Sequence, residues 1–230
     1  MINLRNYILL LILLLPSLSH ADSDPFEDIN KRTHNVNQAL DLQVASPVAR
    51  FYKRITPDIL EIGITNFTRN IEDLSIAVNN MLQGKVNEGI SDLFRFTINS
   101  TLGIAGFIDV STGLGFEKHD EDFGQTLAVW GVNEGPYIVL PGLGPSTLRD
   151  TVAMIPDSFL TPLWLIDHDR TSYSLTAIDL VDTRARYLGL ESVVIGDEYL
   201  FYKDAYLQSR EFEIKDGEIE DDFDEFDDFN

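Results

Sequence analysis

The sequence predicts a mainly α protein that folds as a single domain of short amphipathic helices. Apolar residues recur at intervals of three and four, most regularly at Ile71, Leu74, Val78 and Met81. No segment shows the strong alternation of apolar and polar residues that marks a half-buried strand. The chain has 230 residues, of which 44% are hydrophobic, and this is enough to bury one core.

The first 21 residues are predicted to form a cleavable signal peptide. Arg5 precedes the unbroken apolar run Tyr7–Leu15, and Ser19-His20-Ala21 has the small-x-small pattern of a cleavage site. The run is shorter than the about 18 apolar residues that a membrane-spanning helix needs. We therefore expect export and cleavage after Ala21, which leaves a helical domain over residues 22–213.

The first helix of that domain is expected over Phe26–Val44. Asp24 is placed to act as its N-cap, and Pro25 stands at the first helical position. Because proline interrupts a helix interior, Pro47 and Pro57 predict that short helices follow.

Two further helices are predicted in the middle of the chain. The apolar stripe from Ile71 to Met81 predicts an amphipathic helix that ends at Gly84. The charge-free stretch Phe96–Ile108 predicts a helix of about 20 Å, which is too short to cross a bilayer core of about 30 Å. That stretch is either a core helix or an interfacial helix lying along a membrane plane.

The C-terminal third shows four helical patterns, at Arg149–Ile155, Phe159–Ile166, Ser172–Leu190 and Asp197–Phe212. Prolines separate the first two of these patterns. The last carries an aromatic stripe on one side, which is typical of core packing and consists of Tyr199, Tyr202 and Tyr206.

Between the middle helices and the C-terminal third lies the uncharged segment Gly135–Leu148. It is rich in glycine and proline, so neither a long helix nor a regular central strand is expected there. Several of its side chains are nevertheless strongly apolar, namely Tyr137, Ile138, Val139, Leu140 and Leu143. Apolar side chains on an irregular backbone are either buried as a connector or exposed to an apolar environment.

Composition excludes several classes of function. The formal net charge is −21, and an acidic protein lacks the basic footprint that binds nucleic acid. No cysteine is present, which excludes disulfides, thiolate metal sites and cysteine nucleophiles. The glycines of Gly142–Ser146 are wrongly placed for a nucleophile elbow or a phosphate loop. We therefore predict no catalytic residue and no cofactor.

One histidine has acidic neighbours, since His119 precedes Asp120, Glu121 and Asp122. This cluster is either part of a divalent-metal or acid/base site, or the ion-paired start of a helix over Phe123–Val129 that Asp120 caps. The second interpretation explains the same residues with no ligand, and we predict no metal site.

The sequence of one long segment resembles that of a known family. DFGQTLAVWGVNEGPYIVLPGLGPSTLRD at Asp122–Asp150 is similar to the VacJ/MlaA family of Gram-negative outer-membrane proteins, which retrieve misplaced phospholipids. Further blocks carry the same likeness in the family's order, at Asp24–Asp41, Pro47–Pro57, Asn66–Lys85 and Arg95–Val110. The resemblance thus covers most of the chain after the predicted leader.

The resemblance implies a ring-like helical fold in the inner leaflet of the outer membrane, on the periplasmic side. It also implies a central amphipathic channel that passes phospholipid to a periplasmic carrier of the Mla system, and association with a trimeric porin. The side chains that we expect along the lipid path are Phe123, Trp130, Tyr137, Val139, Leu140 and Leu143. Those expected to face the membrane are Ile98, Leu102, Ile104 and Phe107.

The chain departs from the family at the predicted leader junction. Family members are typically acylated on a cysteine there, whereas this sequence has Ala21-Asp22. Membrane attachment is therefore expected to come from another feature. The alternative is a soluble periplasmic interaction or scaffold protein without lipid-channel activity, and a lipid esterase is disfavoured because no triad pattern is present.

The last segment, residues 214–230, is predicted to be a disordered acidic tail. Its phenylalanines Phe223, Phe226 and Phe229 recur every three residues within dense negative charge. The tail is either a partner-docking peptide or a solvated extension.

Overall fold

The computed structural model describes residues 24–161 and 169–218, and these residues form a mainly helical domain, as predicted. The helices are α1 (Glu27–Leu40), α2 (Ser46–Ile55), α3 (Asp58–Gln83), α4 (Val86–Thr101), α5 (Val110–Gly113), α6 (Phe123–Val129), α7 (Leu148–Leu160), α8 (Asp169–Arg186) and α9 (Glu198–Ile214). A π-helical turn (Asp41–Ala45) joins α1 to α2, and a 3-10 turn (Leu190–Val193) follows α8. The predicted signal peptide lies outside the described residues.

Pro47 does not interrupt the first helical segment, contrary to the prediction. The chain stays helical from Glu27 to Ile55, because the π turn lies just before Pro47 and accommodates a residue that has no N–H to donate. The break falls at Thr56, which is extended before Pro57. At the other end, the Asp24 carboxylate accepts the backbone N–H of Phe26 at 3.1 Å, so the helix begins later than predicted.

The helix predicted from the stripe Ile71–Met81 is present as α3 and ends where expected. Gly84 follows it with φ 90°, a left-handed conformation that glycine adopts without steric cost. The stripe itself is not the buried face, since Val78 and Met81 are exposed. The residues that α3 buries at helical spacing are largely polar, and they include Asn70, Asp73, Ala77 and Asn80.

The domain as a whole, like α3, buries polar side chains and exposes apolar ones. Among the described residues, the largest fully buried side chains are all polar: Asn30, Asn79, Asn80, Thr126, Thr147, Asp73, Asp92, Asp182, Ser46, Ser111 and Ser146. Most of their polar atoms form hydrogen bonds, as where Asn80 donates to Asp92 at 2.8 Å and Thr126 donates to Asn79 at 3.0 Å, although the Oδ1 atom of Asn80 has no partner among the described residues. Large apolar side chains meanwhile cover much of the surface. A protein in water has the opposite arrangement, so these surfaces are suited to an apolar environment.

The segment after α4 turns sharply instead of continuing the helix predicted to Ile108. Ile104 and Ala105 have φ 53° and 56°, which side chains with a Cβ rarely adopt. Gly103 permits the turn, because a Cβ there would lie 2.1 Å from the carbonyl oxygen of Ile108. The amide of Asn99 closes the turn by accepting the backbone N–H groups of Val110 and Ser111.

The uncharged segment forms a β-hairpin, which the sequence did not predict. Strand β1 (Tyr137–Leu140) pairs antiparallel with β2 (Gly144–Thr147), and Val139 lies opposite Pro145. Pro145 is tolerated because a two-stranded sheet has only edge strands. Asn30 of α1 pairs with β1 as a strand would, since it donates to the carbonyl of Tyr137 at 3.0 Å and accepts the N–H of Val139 at 2.9 Å.

Three details of the later helices also differ from expectation. Pro156 lies inside α7, so the predicted break is absent, and the end of Phe159–Ile166 lies outside the described residues. The helix predicted over Ser172–Leu190 is shifted toward the N-terminus, as α8. Asp122 caps α6 in place of Asp120, by accepting the N–H of Gln125 at 2.8 Å.

Candidate functional site

A cavity of about 870 Å³ lies between α1, the hairpin, the end of α8 and the start of α9. Its polar lining consists of His34, Asn37, Gln38, Asp41, Arg184 and Glu198. Its apolar lining includes Val139, Pro145, Leu190, Val193, Phe201 and Tyr202. A cavity of this volume and mixed lining matches a ligand that has both polar and apolar parts.

The polar lining is held in place by charge-assisted hydrogen bonds. Arg184 donates to both carboxylate oxygens of Asp41, at 2.6 and 2.8 Å, and to the hydroxyl of Ser46 at 2.7 Å. The Arg184 guanidinium holds the pKa of Asp41 below its usual value. Since Asp41 is also the first residue of the π turn, this pair fixes the local geometry between α1 and α2 against α8.

His34 provides a buried polar atom that has no partner of its own. Its Nε2 atom is shielded from solvent and forms no hydrogen bond within the described part of the chain. The imidazole packs against the rings of Tyr199 and Tyr202, at centroid distances of 6.0 and 5.6 Å. Buried polar atoms are nearly always paired, so the unpartnered Nε2 is one of few exceptions among the described residues.

Of the predicted lipid-path residues, Val139 lines this cavity. Tyr137 is instead buried in a small cluster with Tyr199, and Leu140 is half-buried opposite Gly144. Leu143 is exposed at the tip of the hairpin.

Phe123 and Trp130 pair with each other edge to face at 5.8 Å, away from the cavity lining. The Trp130 indole donates to the carbonyl of Leu82 at 3.0 Å. The structure therefore does not bring the six predicted lipid-path residues together.

Sequence reasoning missed most of the cavity's polar lining. A signal was present, because His34, Asn37 and Gln38 of α1 and Asp41 of the π turn follow one another at helical spacing. Arg184 could not be found in this way, since it lies 143 residues from its partner Asp41. The aromatic stripe of α9 serves two purposes, as Tyr199 is buried in the core whereas Tyr202 lines the cavity.

Three of the four residues predicted to face the membrane are exposed, namely Leu102, Ile104 and Phe107, while Ile98 is half-buried. The exposed apolar surface extends further, onto α2 and the first turns of α3. Phe107 joins these parts, because its ring packs against Phe67 of α3 at 5.3 Å. In the described ranges, no helix is both long and apolar enough to pass through a bilayer.

A buried ionic cluster fixes α9, which carries part of the cavity wall. The Arg210 guanidinium donates to Asp150 at 3.1 Å and to Asp122 at 2.6 and 2.7 Å, joining α9 to α7 and α6. Tyr206 donates to the same Asp150 at 2.9 Å. Although burial alone would raise the pKa of Asp150, hydrogen bonds from Arg149 and Arg210 lower it to about 2. Asp150 is therefore ionised at neutral pH.

The acidic cluster that follows His119 is dispersed in the structure. His119 contacts Asp92 through Nδ1 at 2.9 Å, Glu121 pairs with Lys85 at 2.9 Å, and Asp122 pairs with Arg210. Within residues 24–161 and 169–218, no group of histidine and acidic side chains is arranged to hold a metal ion.

The acidic tail is described only at its start. Ile214, predicted to open the tail, is the last residue of α9, and Asp216 forms an ion pair with Lys85. Phe223, Phe226 and Phe229 lie outside the described residues, so their predicted docking role stays a prediction.

The chain is similar to known proteins over most of its length. The family model described as MlaA lipoprotein matches residues 22–213. The intermembrane phospholipid transport system lipoprotein MlaA of Escherichia coli (strain K12) is 35% identical, over 86% of this chain and 80% of that protein. An uncharacterized protein of Rickettsia typhi is 33% identical, over 84% of this chain and 78% of its own length.

A solved structure shares the fold as well. It is described as the structural basis for maintenance of bacterial outer membrane lipid asymmetry, and one of its chains superposes with a TM-score of 0.76 at 31% sequence identity. The match covers 84% of this chain and 100% of the solved one.

Proposed function

The chain belongs to the MlaA lipoprotein family, and we propose that it transports phospholipid between membranes. In this proposal it removes mislocalised phospholipid from the outer leaflet of the outer membrane and passes it to a periplasmic carrier, which maintains lipid asymmetry. The single observation that supports this best is the cavity between α1, the hairpin, α8 and α9, with its polar and apolar linings.

The two linings fit the two parts of a phospholipid. Each methylene moved from water into an apolar site gains about 0.8 kcal/mol, so the side with Leu190, Val193 and Phe201 favours acyl chains. A charged headgroup needs hydrogen-bond partners once it leaves water, and His34, Asn37 and Gln38 lie in the polar lining. Binding and release require no bond to be made or broken, so we propose a transporter rather than an enzyme.

The exposed apolar surfaces support residence at a membrane. A buried interior of asparagine, aspartate and threonine beneath an apolar exterior suits a protein whose outer face contacts lipid. We propose the periplasmic side of the outer membrane as its location. The predicted signal peptide would bring it there, and the apolar surface would retain it without an acylated cysteine.

Trimeric porin and the periplasmic lipid carrier of the Mla system are the partners that we propose from the family resemblance. The acidic tail, with Phe223, Phe226 and Phe229, is a candidate docking element for either of them. The alternative remains a periplasmic scaffold with no lipid-channel activity, which would bind partners but leave the cavity unused.

The experiment that tests transport places a charge in the cavity and compares it with a charge just outside. Val193 lines the cavity and is 57% exposed, whereas Ile195, two residues later, is 84% exposed and lies outside it. Both side chains contact solvent, so neither aspartate substitution is expected to unfold the protein. An unpaired carboxylate among acyl chains costs several kcal/mol, so Val193→Asp should block lipid passage.

Each variant is expressed in a strain that lacks the native gene, and outer-leaflet phospholipid and detergent resistance are measured. With equal protein abundance, Val193→Asp should leave phospholipid in the outer leaflet and weaken the barrier to detergent, whereas Ile195→Asp should restore both. Full complementation by both variants would contradict the transport proposal and favour the scaffold alternative.

A further inference from the structure

One carboxylate of the cavity lining has no cation to balance it. The lining residues that carry a formal charge are Asp41, Arg184 and Glu198. Asp41 and Arg184 neutralise each other, since the guanidinium contacts both carboxylate oxygens at 2.6 and 2.8 Å. Glu198 forms no ion pair within residues 24–161 and 169–218. Two acids against one base therefore leave the described lining with a net negative charge.

The Glu198 carboxylate is held at the cavity wall. The side-chain amide of Gln38 on α1 donates to its Oε2 atom, and Gln38 lines the cavity as well. Glu198 is half-buried, so its charge is partly removed from water. Electrostatic interactions strengthen where water is excluded, so this carboxylate attracts a cationic group more strongly than one at the open surface does.

Aromatic side chains lie on the same side of α9 as this carboxylate. Phe201 and Tyr202 follow Glu198 by three and four positions, a spacing that places all three on one side of a helix, and both rings line the cavity. The two rings meet edge to face at 5.9 Å. Because ring faces attract cations, the carboxylate and the rings together suit an ammonium group. A primary ammonium also supplies N–H donors for the carboxylate oxygens.

Phospholipids with different headgroups bring different charges into such a cavity. Phosphatidylethanolamine has an anionic phosphate and a primary ammonium, so its headgroup has no net charge. Phosphatidylglycerol has the phosphate charge alone. The ammonium of the first can pair with Glu198, whereas the second adds a further negative charge to a lining that is already negative. Like charges that are partly removed from water repel each other strongly, so the cavity disfavours the anionic headgroup.

We propose that the cavity prefers phospholipids with a primary ammonium headgroup, as in phosphatidylethanolamine, and that Glu198 sets this preference. The inference rests on the proposed function, because it requires phospholipid to enter the cavity. It adds the headgroup that is favoured and the residue that selects it.

The test detects only lipid that lies in the cavity. The full chain after its predicted signal peptide carries a photoreactive phenylalanine analogue in place of Phe201. It is mixed in neutral detergent with equal amounts of phosphatidylethanolamine and phosphatidylglycerol that have the same acyl chains. After irradiation, the mass of each adduct identifies the lipid. Phosphatidylethanolamine adducts should exceed phosphatidylglycerol adducts by about tenfold, which is the effect of one hydrogen bond between charged groups.

Three variants in the same labelled chain isolate the role of Glu198. Glu198→Gln removes the charge and should bring the ratio of the two adducts close to one, while Glu198→Lys should invert the ratio in favour of phosphatidylglycerol. The matched control Glu211→Gln removes one negative charge from an exposed position of the same helix, outside the cavity lining, and should keep the original ratio. Circular dichroism checks that each variant is folded.

The outcomes separate the headgroup preference from transport itself. Equal adducts of the two lipids with Glu198 intact, or an equal loss of both lipids in Glu198→Lys, would overturn the preference and leave the proposed function standing. No adduct with either lipid would contradict the proposed function, and the preference with it. An excess of soluble glycerophosphoethanolamine, which has no acyl chains, should leave the adducts unchanged. Their loss would assign the site to the free headgroup and overturn the assignment to a lipid.

Discussion

Replacing Arg210 with leucine removes the centre of the ionic cluster that holds α9. The Arg210 side chain is 9% exposed, and its buried partner Asp150 is 7% exposed. Removing one member of a buried ion pair typically costs 3–5 kcal/mol, because the other charge stays buried without its partner. Asp122 is 42% exposed, so water can replace that contact, and Arg149 continues to pair with Asp150. We therefore expect a loss near the lower end, about 3 kcal/mol.

The assay is urea unfolding of the detergent-solubilised protein, followed by far-ultraviolet circular dichroism. Lys215→Leu is the matched control, since its ion pair with Glu211 lies at the end of the same helix and is largely exposed. Exposed pairs of this kind contribute well under 1 kcal/mol. An equal loss of free energy of unfolding in Arg210→Leu and Lys215→Leu would refute the conclusion that Arg210 fixes α9.

Three further predictions follow from the same region. Because the pKa of Asp150 is lowered to about 2 in the folded protein, its ionised form stabilises the fold above pH about 4. The free energy of unfolding should fall by about 2 kcal/mol as the pH drops from 4 to 2, and this loss should be smaller in Arg210→Leu. Urea unfolding repeated at several pH values in this range measures both losses. Gly124→Ala should lower the free energy of unfolding by about 1–3 kcal/mol in thermal or urea unfolding, because its Cβ would lie 2.4 Å from Arg210. The control Gly113→Ala should be nearly neutral, because a Cβ there meets no atom within 4 Å. Truncation after Glu218 keeps the Asp216 ion pair and should leave the melting temperature unchanged, while a lower melting temperature would show that the tail belongs to the fold.

The helices could be predicted from the sequence, but the side that each one buries could not. A stripe at intervals of three and four has the same appearance whether it faces a protein core or lipid, so Ile71–Met81 located α3 without indicating where its apolar face points. The buried face had its own polar periodicity at Asn70, Asp73 and Asn80, which is informative only once an apolar exterior is considered.

The cavity was harder to predict because its parts are distant in sequence. The polar side of α1 and the π turn was readable from His34 to Asp41, but the ion pair of Asp41 with Arg184 joins segments that no local pattern connects. The hairpin was missed for a related reason. Its glycines and prolines argue against a regular strand, and the support from Asn30 comes from more than a hundred positions earlier.

The central proposal is that phospholipid occupies the cavity, and site-specific photo-crosslinking tests it most directly. A photoreactive phenylalanine analogue would replace either Phe201, which lines the cavity, or Phe212, a control on the same helix that does not. After irradiation of intact cells, the purified protein is analysed by mass spectrometry for covalently attached phospholipid. We predict adducts at Phe201 and few or none at Phe212; adducts at neither position, or equally at both, would contradict the proposal.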